Sequence, residues 1–145
     1  MRFGRRLGLD YGSVRVGVAI SDPHGVLATP YETLQLEVAI TELSRIVEVE
    51  EIIEIVLGLP KHLNGSEGTS ADLVRAFAED LRTCGVPIRF VDERSTTVSA
   101  AAQLRQSGRT SKTSKLIIDQ ATAVIILQGA LDSEKNGRLP GEVLT

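Results

Sequence analysis

Apolar residues first alternate along this chain and later recur every three or four positions, and that change of period divides it. Arg5 to Leu9 and Val14 to Ile20 are rich in Val, Ile and Leu and of strand length, with Tyr11-Gly12-Ser13 as the turn between them. A third strand is predicted over Val26 to Thr33, because Pro23, Gly25 and Pro30 punctuate the chain at a spacing that suits an antiparallel meander. Then the period changes. Leu36, Ala39, Ile40, Leu43, Ile46 and Val47 form one helical stripe, with glutamates on the opposite face.

Ile52 to Leu57 is a short apolar run carrying one Glu and closed by Gly58-Leu59-Pro60, which predicts a buried strand. A polar loop from Lys61 to Thr69 leads into a second helix, Ser70 to Thr83, expected to bury Leu73, Val74, Phe77 and Leu81 before Gly85-Val86-Pro87 ends it. Ile88 to Val91 is the next buried strand and delivers Asp92, Glu93 and Arg94 at its end. Ser95, Thr96 and Thr97 offer N-caps for a helix from Thr97 to Gln106. Gly108 to Ser114 reads as a basic loop, Lys115 to Leu131 as a helix apolar almost all round, and Asn136 to Thr145 as a loose tail. With no internal repeat and no linker, this order predicts a single α/β domain over residues 1–145. Its mixed five-stranded sheet has three antiparallel strands then two parallel ones, with helices on both faces.

Composition narrows the function classes. No apolar run approaches membrane-spanning length and the N-terminus lacks the apolar core of a signal peptide, so a soluble cytoplasmic protein with no membrane partner is expected. Cys84 stands alone, which excludes an intramolecular disulfide and a thiolate zinc cage. The net charge of −3 is mild, but its distribution is uneven. Six Glu face only Arg45 between Glu37 and Glu54. Arg94, Arg105, Arg109, Lys112 and Lys115 lie in a stretch with no acid, and Arg2, Arg5, Arg6 and Arg15 crowd the start. One acidic face and one basic edge suit a surface that meets a polyanion on one side only.

Three acidic points stand out against this frame. Asp10 ends the first strand beside a Gly that permits close approach, a place for a metal, a phosphate or simply a turn. Glu93 follows the last strand, and Asp92 competes with it for the inward position because neighbours in an extended chain face opposite ways. Asp119 lies on an otherwise apolar helix face with Thr122, Ala123 and Ile126, so it needs either a cation such as Lys115 at i−4 or a solvated cleft. Converging carboxylates repel unless cations sit between them. Oxygen-only donors suit Mg²⁺ or Mn²⁺, and such a site can hold two ions roughly 3.5–4 Å apart. His24 and His62 fall in a turn and a loop and suggest no zinc site.

Four blocks carry a resemblance: LGLDYGSVRVGVAISD, LGLPKHLNGSEG, VDERSTTVSA and IDQATAVIILQGALD, in that order over nearly the whole chain. They resemble the YqgF/RuvX family of pre-16S rRNA nucleases, also described as Holliday-junction-resolvase-like proteins with an RNase H-like fold. The resemblance implies that Asp10, Glu93 and Asp119 are the acidic metal-binding positions and that Mg²⁺ or Mn²⁺ is required. It also implies that the substrate is structured RNA, the 5′ end of pre-16S rRNA, whether free or in ribosomal precursor particles. Thr122 departs from the small apolar residue expected in the last block. Only one acid stands at the third position, where RuvC-type resolvases carry two nearby, and this counts against cleavage of branched DNA.

Gly12 and Ser13 would let a phosphate approach the turn, and Lys61 and Arg94 would contact phosphates near the acids. Arg15, Arg109, Lys112 and Lys115 would hold flanking backbone, giving affinity without sequence choice. The scarce aromatics (Phe3, Phe77, Phe90, Tyr11, Tyr31) offer no base-stacking platform. Two rivals are an actin-like or sugar-kinase phosphate loop, which needs two lobes where this chain has room for one, and a non-catalytic nucleic-acid adaptor keeping the fold. The sequence leaves the oligomeric state open.

Overall fold

The structure, a computed structural model, describes residues 2–93 and 112–144, and of residues 112–117 the backbone alone. Strands β1 (Arg5–Tyr11), β2 (Arg15–Ser21) and β3 (Ala28–Gln35) form the meander. Helix α1 (Leu36–Val49), strand β4 (Ile52–Leu59), helix α2 (Thr69–Leu81) and strand β5 (Ile88–Asp92) follow, then helix α3 (Lys112–Lys135) and strand β6 (Glu142–Val143). The sheet order is β3-β2-β1-β4-β5-β6. β1 is therefore interior, antiparallel to β2 and parallel to β4, while β4 runs parallel to β5.

The two-residue side-chain period sorts this sheet into two faces. Leu7 and Leu9, Val16 and Val18, Ile55 and Leu57, and Phe90 enter one core with Leu43 and Ile46 of α1 and Val74, Phe77 and Leu81 of α2. Ala19 and Val56 enter a second, smaller core with Ala123, Ile126 and Leu127 of α3. Each fully buried Leu or Ile contributes about 1.5–3 kcal/mol, so the larger core dominates stability. The smaller one fixes where α3 lies. Gly8 lets the helix come close: a Cβ there would stand 2.5 Å from Leu127 Cβ and 2.8 Å from the Ala123 carbonyl oxygen.

The α/β class and the helices on both faces are as expected, but four expectations need correction. The sheet has six strands, because residues 142 and 143 of the supposed tail pair antiparallel with β5. These two residues are exposed and leave no apolar signal; the open edge of β5 recruits them through backbone hydrogen bonds. β4 runs through Gly58 to Leu59 instead of stopping at Leu57. The last helix begins at Lys112 and reaches Lys135, so the basic loop expected up to Ser114 gives way to helix before that point. Leu73 is half exposed, lying beside the stripe of Val74, Phe77, Ala78 and Leu81 that α2 buries. The helix expected over Thr97 to Gln106 lies outside the described residues.

The N-terminal cations also find a different role. Arg6 is 1% exposed, and its guanidinium donates to Glu134 at 2.7 Å and to the Gly4 carbonyl at 2.6 Å. Arg2 bridges Glu134 and Glu54, and Arg89 joins Glu54 at 3.2 Å while donating to the Pro140 carbonyl. Burial works to raise Glu134, yet hydrogen bonds from Arg2 and the charges of Arg6 and Arg2 hold it down to about 2. Arg2 and Arg6 are thus tied into a polar strut at the far end of α3 and do not form a basic edge.

Candidate functional site

Strand parity assembles the site. Arg6, Gly8 and Asp10 alternate on β1 with Leu7 and Leu9, which point into the larger core, so Asp10 faces α3 as Gly8 does. On β5 the same alternation sends Phe90 to the larger core and Val91 toward α3. Glu93, one residue beyond the strand, keeps the parity of Val91. Its side chain lies over Gly58 of β4, where a Cβ would be 2.5 Å from Glu93 Oε1 and 2.6 Å from Ile126 Cδ1. Asp92 instead lines a groove with Lys61, Phe90 and Glu142. Glu93 is therefore the inward carboxylate and Asp92 the outward one.

Asp119 arrives from above. In register, Asp10 pairs with Gly17 of β2, and Asp119 packs directly onto Gly17, with 3.0 Å between its Cβ and the position a Cβ would take there. Gly17 and Gly58 thus flank Asp10 as two bare positions, one under Asp119 and one under Glu93. Sequence reasoning missed them. The available signal was a Gly inside each of two otherwise β-branched or aliphatic strands, which marks close approach by another group.

Burial is the main cause that pushes Asp10 up to about 8; the negative charges of Glu93 and Asp119 and a hydrogen bond with Glu93 add to it. Glu93 is also raised, chiefly by burial and further by the charge of Asp92, while its hydrogen bond with Asp10 opposes the rise. Near neutral pH Asp10 therefore keeps its proton, hydrogen-bonded with Glu93. This site carries more negative potential than it can hold ionised. A hard divalent cation answers that imbalance, and the donors are all carboxylate oxygens. The Asp10–Glu93 pair fits Mg²⁺ or Mn²⁺ in this respect. Among the described residues, however, no three His, Cys, Asp or Glu side chains are gathered into a ready-made cage.

Asp119 is engaged elsewhere. Arg15 Nε donates to Asp119 Oδ2 at 3.2 Å, with the two side chains 20% and 26% exposed. Arg15, expected to hold nucleic-acid backbone, thus rests on the third acid. Gly12 and Ser13 line a cleft of about 200 Å³ with Tyr11, Pro60, Ser70, Leu73, Val74 and Glu93. Gly12 is required there, since a Cβ would meet the Arg15 carbonyl oxygen at 2.7 Å. Lys61 lines two other grooves, one with Asp92 and one with His62, Thr69 and Ser70. Arg94 and Arg109 lie outside the described residues; Lys112 and Lys115 sit on the first turns of α3.

Comparison with known proteins bears on the family and the fold. The family described as RuvX, Holliday junction resolvase, matches residues 4–133. The "Putative pre-16S rRNA nuclease" of Streptomyces avermitilis is 53% identical, covering 98% of this chain and 95% of that protein. The protein of the same name from a Nocardioides species is 49% identical over 99% of this chain and 98% of its own length. Among solved structures, Thermus thermophilus RuvC in complex with a Holliday junction substrate superposes with a TM-score of 0.63 at 11% identity, covering 96% and 99% of the two chains. That last likeness is one of fold.

Proposed function

The chain belongs to the RuvX family of phosphodiester-cleaving enzymes, and from that premise we propose a metal-dependent nuclease that hydrolyses structured RNA and processes the 5′ end of pre-16S rRNA. One observation carries the reading. Asp10 and Glu93, from the ends of strands separated by β4, share a hydrogen bond on the face that α3 covers, with the charge of Asp119 within reach. The names of the relatives, which read pre-16S rRNA nuclease, support the choice of RNA, and an association with ribosomal precursor particles in the cytoplasm is part of the same proposal. Among the described residues no helix is long and apolar enough to cross a membrane.

Asp10 and Glu93 would hold the ion or ions, with Asp119 joining from α3. Bound Mg²⁺ or Mn²⁺ supplies Lewis-acid stabilisation of the charge that develops on the phosphate and its leaving oxygen. The chain's own residues do the rest. Asp10, which keeps its proton to about 8, would have to give it up to serve as a ligand, so metal binding would release a proton. Gly12 and Ser13 bring the turn backbone to the substrate's phosphate, and the cleft beyond Glu93 accepts the neighbouring nucleotide. Arg94, Arg109, Lys112 and Lys115 hold the flanking strand, with Lys61 further out. α3 and the sheet beneath it keep the acids rigid while the substrate changes.

A second reading is cleavage of four-way DNA junctions, which the RuvC-like fold favours. Against it, the next acid along α3 after Asp119 is Asp132, which accepts a hydrogen bond from Gln128 at 3.0 Å. It lies more than three turns away, too far to join the site. The deciding experiment compares wild-type and Asp10→Asn protein on precursor 16S leader RNA and on a four-way DNA junction, with Mn²⁺ and with EDTA. Cutting of RNA by wild type with Mn²⁺ alone is expected. Equal cutting by the variant, or cutting in EDTA, refutes the mechanism.

A further inference from the structure

Arg2 and Arg6 at one end of α3 and Arg15 toward the other are ion-paired to it, and Arg6 and Arg15 differ in kind. Arg6 is sealed at the far end, with several hydrogen bonds and a partner only 10% exposed. Among the described residues the Arg15 side chain makes one bond, to Asp119, from a partly buried position at the start of β2, next to the Gly12-Ser13 turn. Arg6 is built as a strut. Arg15 is not needed as one, because α3 is already seated at this point: Asp119 packs on Gly17, and Gln120 Nε2 donates to Thr33 Oγ1 at 2.9 Å.

What Arg15 does occupy is an acid of the candidate metal site. We infer that Arg15 is a positioning residue that neutralises Asp119 in the resting protein and, when a divalent cation enters, releases that carboxylate and turns its guanidinium to a phosphate of the substrate. The inference rests on the proposed function and adds to it a coupling between metal and RNA. A guanidinium on Asp119 and a divalent cation beside Asp10 are like charges sharing one cluster of acids, so each weakens the hold of the other. A guanidinium displaced from a carboxylate keeps its fork of donors, which matches a phosphate equally well. The nearest place for a phosphate is the turn Arg15 borders.

The test uses the full chain. Mn²⁺ is titrated by electron paramagnetic resonance without RNA, on wild type, Arg15→Gln and Arg15→Lys. The Gln variant should bind Mn²⁺ about fivefold more tightly, the scale of one partly exposed charge pair, and the Lys variant, which keeps the charge, should stay close to wild type. With Mn²⁺ present, leader-RNA binding followed by rapid mixing before cleavage should show the opposite sign. The Gln variant should bind RNA more weakly, with a salt slope smaller by about one. A shift in Tm within about 4 °C is expected, since a single partly buried pair is lost. Mn²⁺ binding to the Gln variant that is unchanged or weaker overturns the exchange and leaves the nuclease reading standing. Failure of Mn²⁺ to bind any of the three proteins overturns both.

Discussion

Asp10→Asn, the substitution that should abolish cleavage, should also make the protein more stable. Unfolded, Asp10 loses its proton near its ordinary value of 3.8; folded, it keeps the proton to about 8. Between these values the native chain binds the extra proton, so its stability falls as pH rises and stops falling above about 8. Each pH unit in that window costs about 1.4 kcal/mol, which makes the penalty at pH 7 on the order of 4 kcal/mol. Asn carries no charge and escapes it, while its amide N–H still donates to Glu93. Allowing about half to be lost through poorer geometry leaves a gain of about 2 kcal/mol, or a rise in Tm of about 6 °C for a chain of this length. Thermal unfolding of both proteins in EDTA, from pH 4 to pH 9, measures it. The variant should be the less stable near pH 4, the two curves should cross near pH 5, and the gap should then open in its favour toward pH 8. A gap that stays constant across the range, or an Asn variant less stable at pH 8, refutes the claim that Asp10 sits in unrelieved negative potential.

Glu134→Gln should cost about 3 kcal/mol, because it strips the buried Arg6 of its carboxylate. With Glu134 held down to about 2, its contribution is present above the ordinary carboxylate range and lost as pH falls toward 2, so urea titrations of wild type should show an acid sag that the variant lacks. Gly58→Ala places a Cβ 2.5 Å from Glu93 Oε1; since that side-chain end can move, the expected result is at least a tenfold loss of cleavage with only about 1–2 kcal/mol of destabilisation, and normal activity would mean Glu93 is not held over Gly58. Replacing Arg109, Lys112 and Lys115 together by Ala should lower the salt slope of RNA binding by up to about three, and an unchanged slope would place the substrate elsewhere.

All the larger elements but their exact ends, and the chemistry each one carries, are legible in the order of residues. A period of two followed by a period near 3.6 fixes which segments are strands and which are helices. Turn residues fix the order, and that order leaves Asp10 and Glu93 at strand ends and Asp119 on a helix. Position along the chain left Glu93 and Asp92 open and only the family resemblance favoured Glu93, because which of two neighbours faces α3 depends on parity carried across β4 from Asp10. Nor could it supply Arg15 as a partner of Asp119: spacing offers only the neighbour at i−4, while helix seating over Gly17 brings in β2. β6 escaped notice because two exposed residues bury almost nothing and owe their strand state to the edge of β5. Periodicity records what each segment buries, so it is legible locally. Pairing between charges depends on distances across the sheet, and only the packed chain sets those.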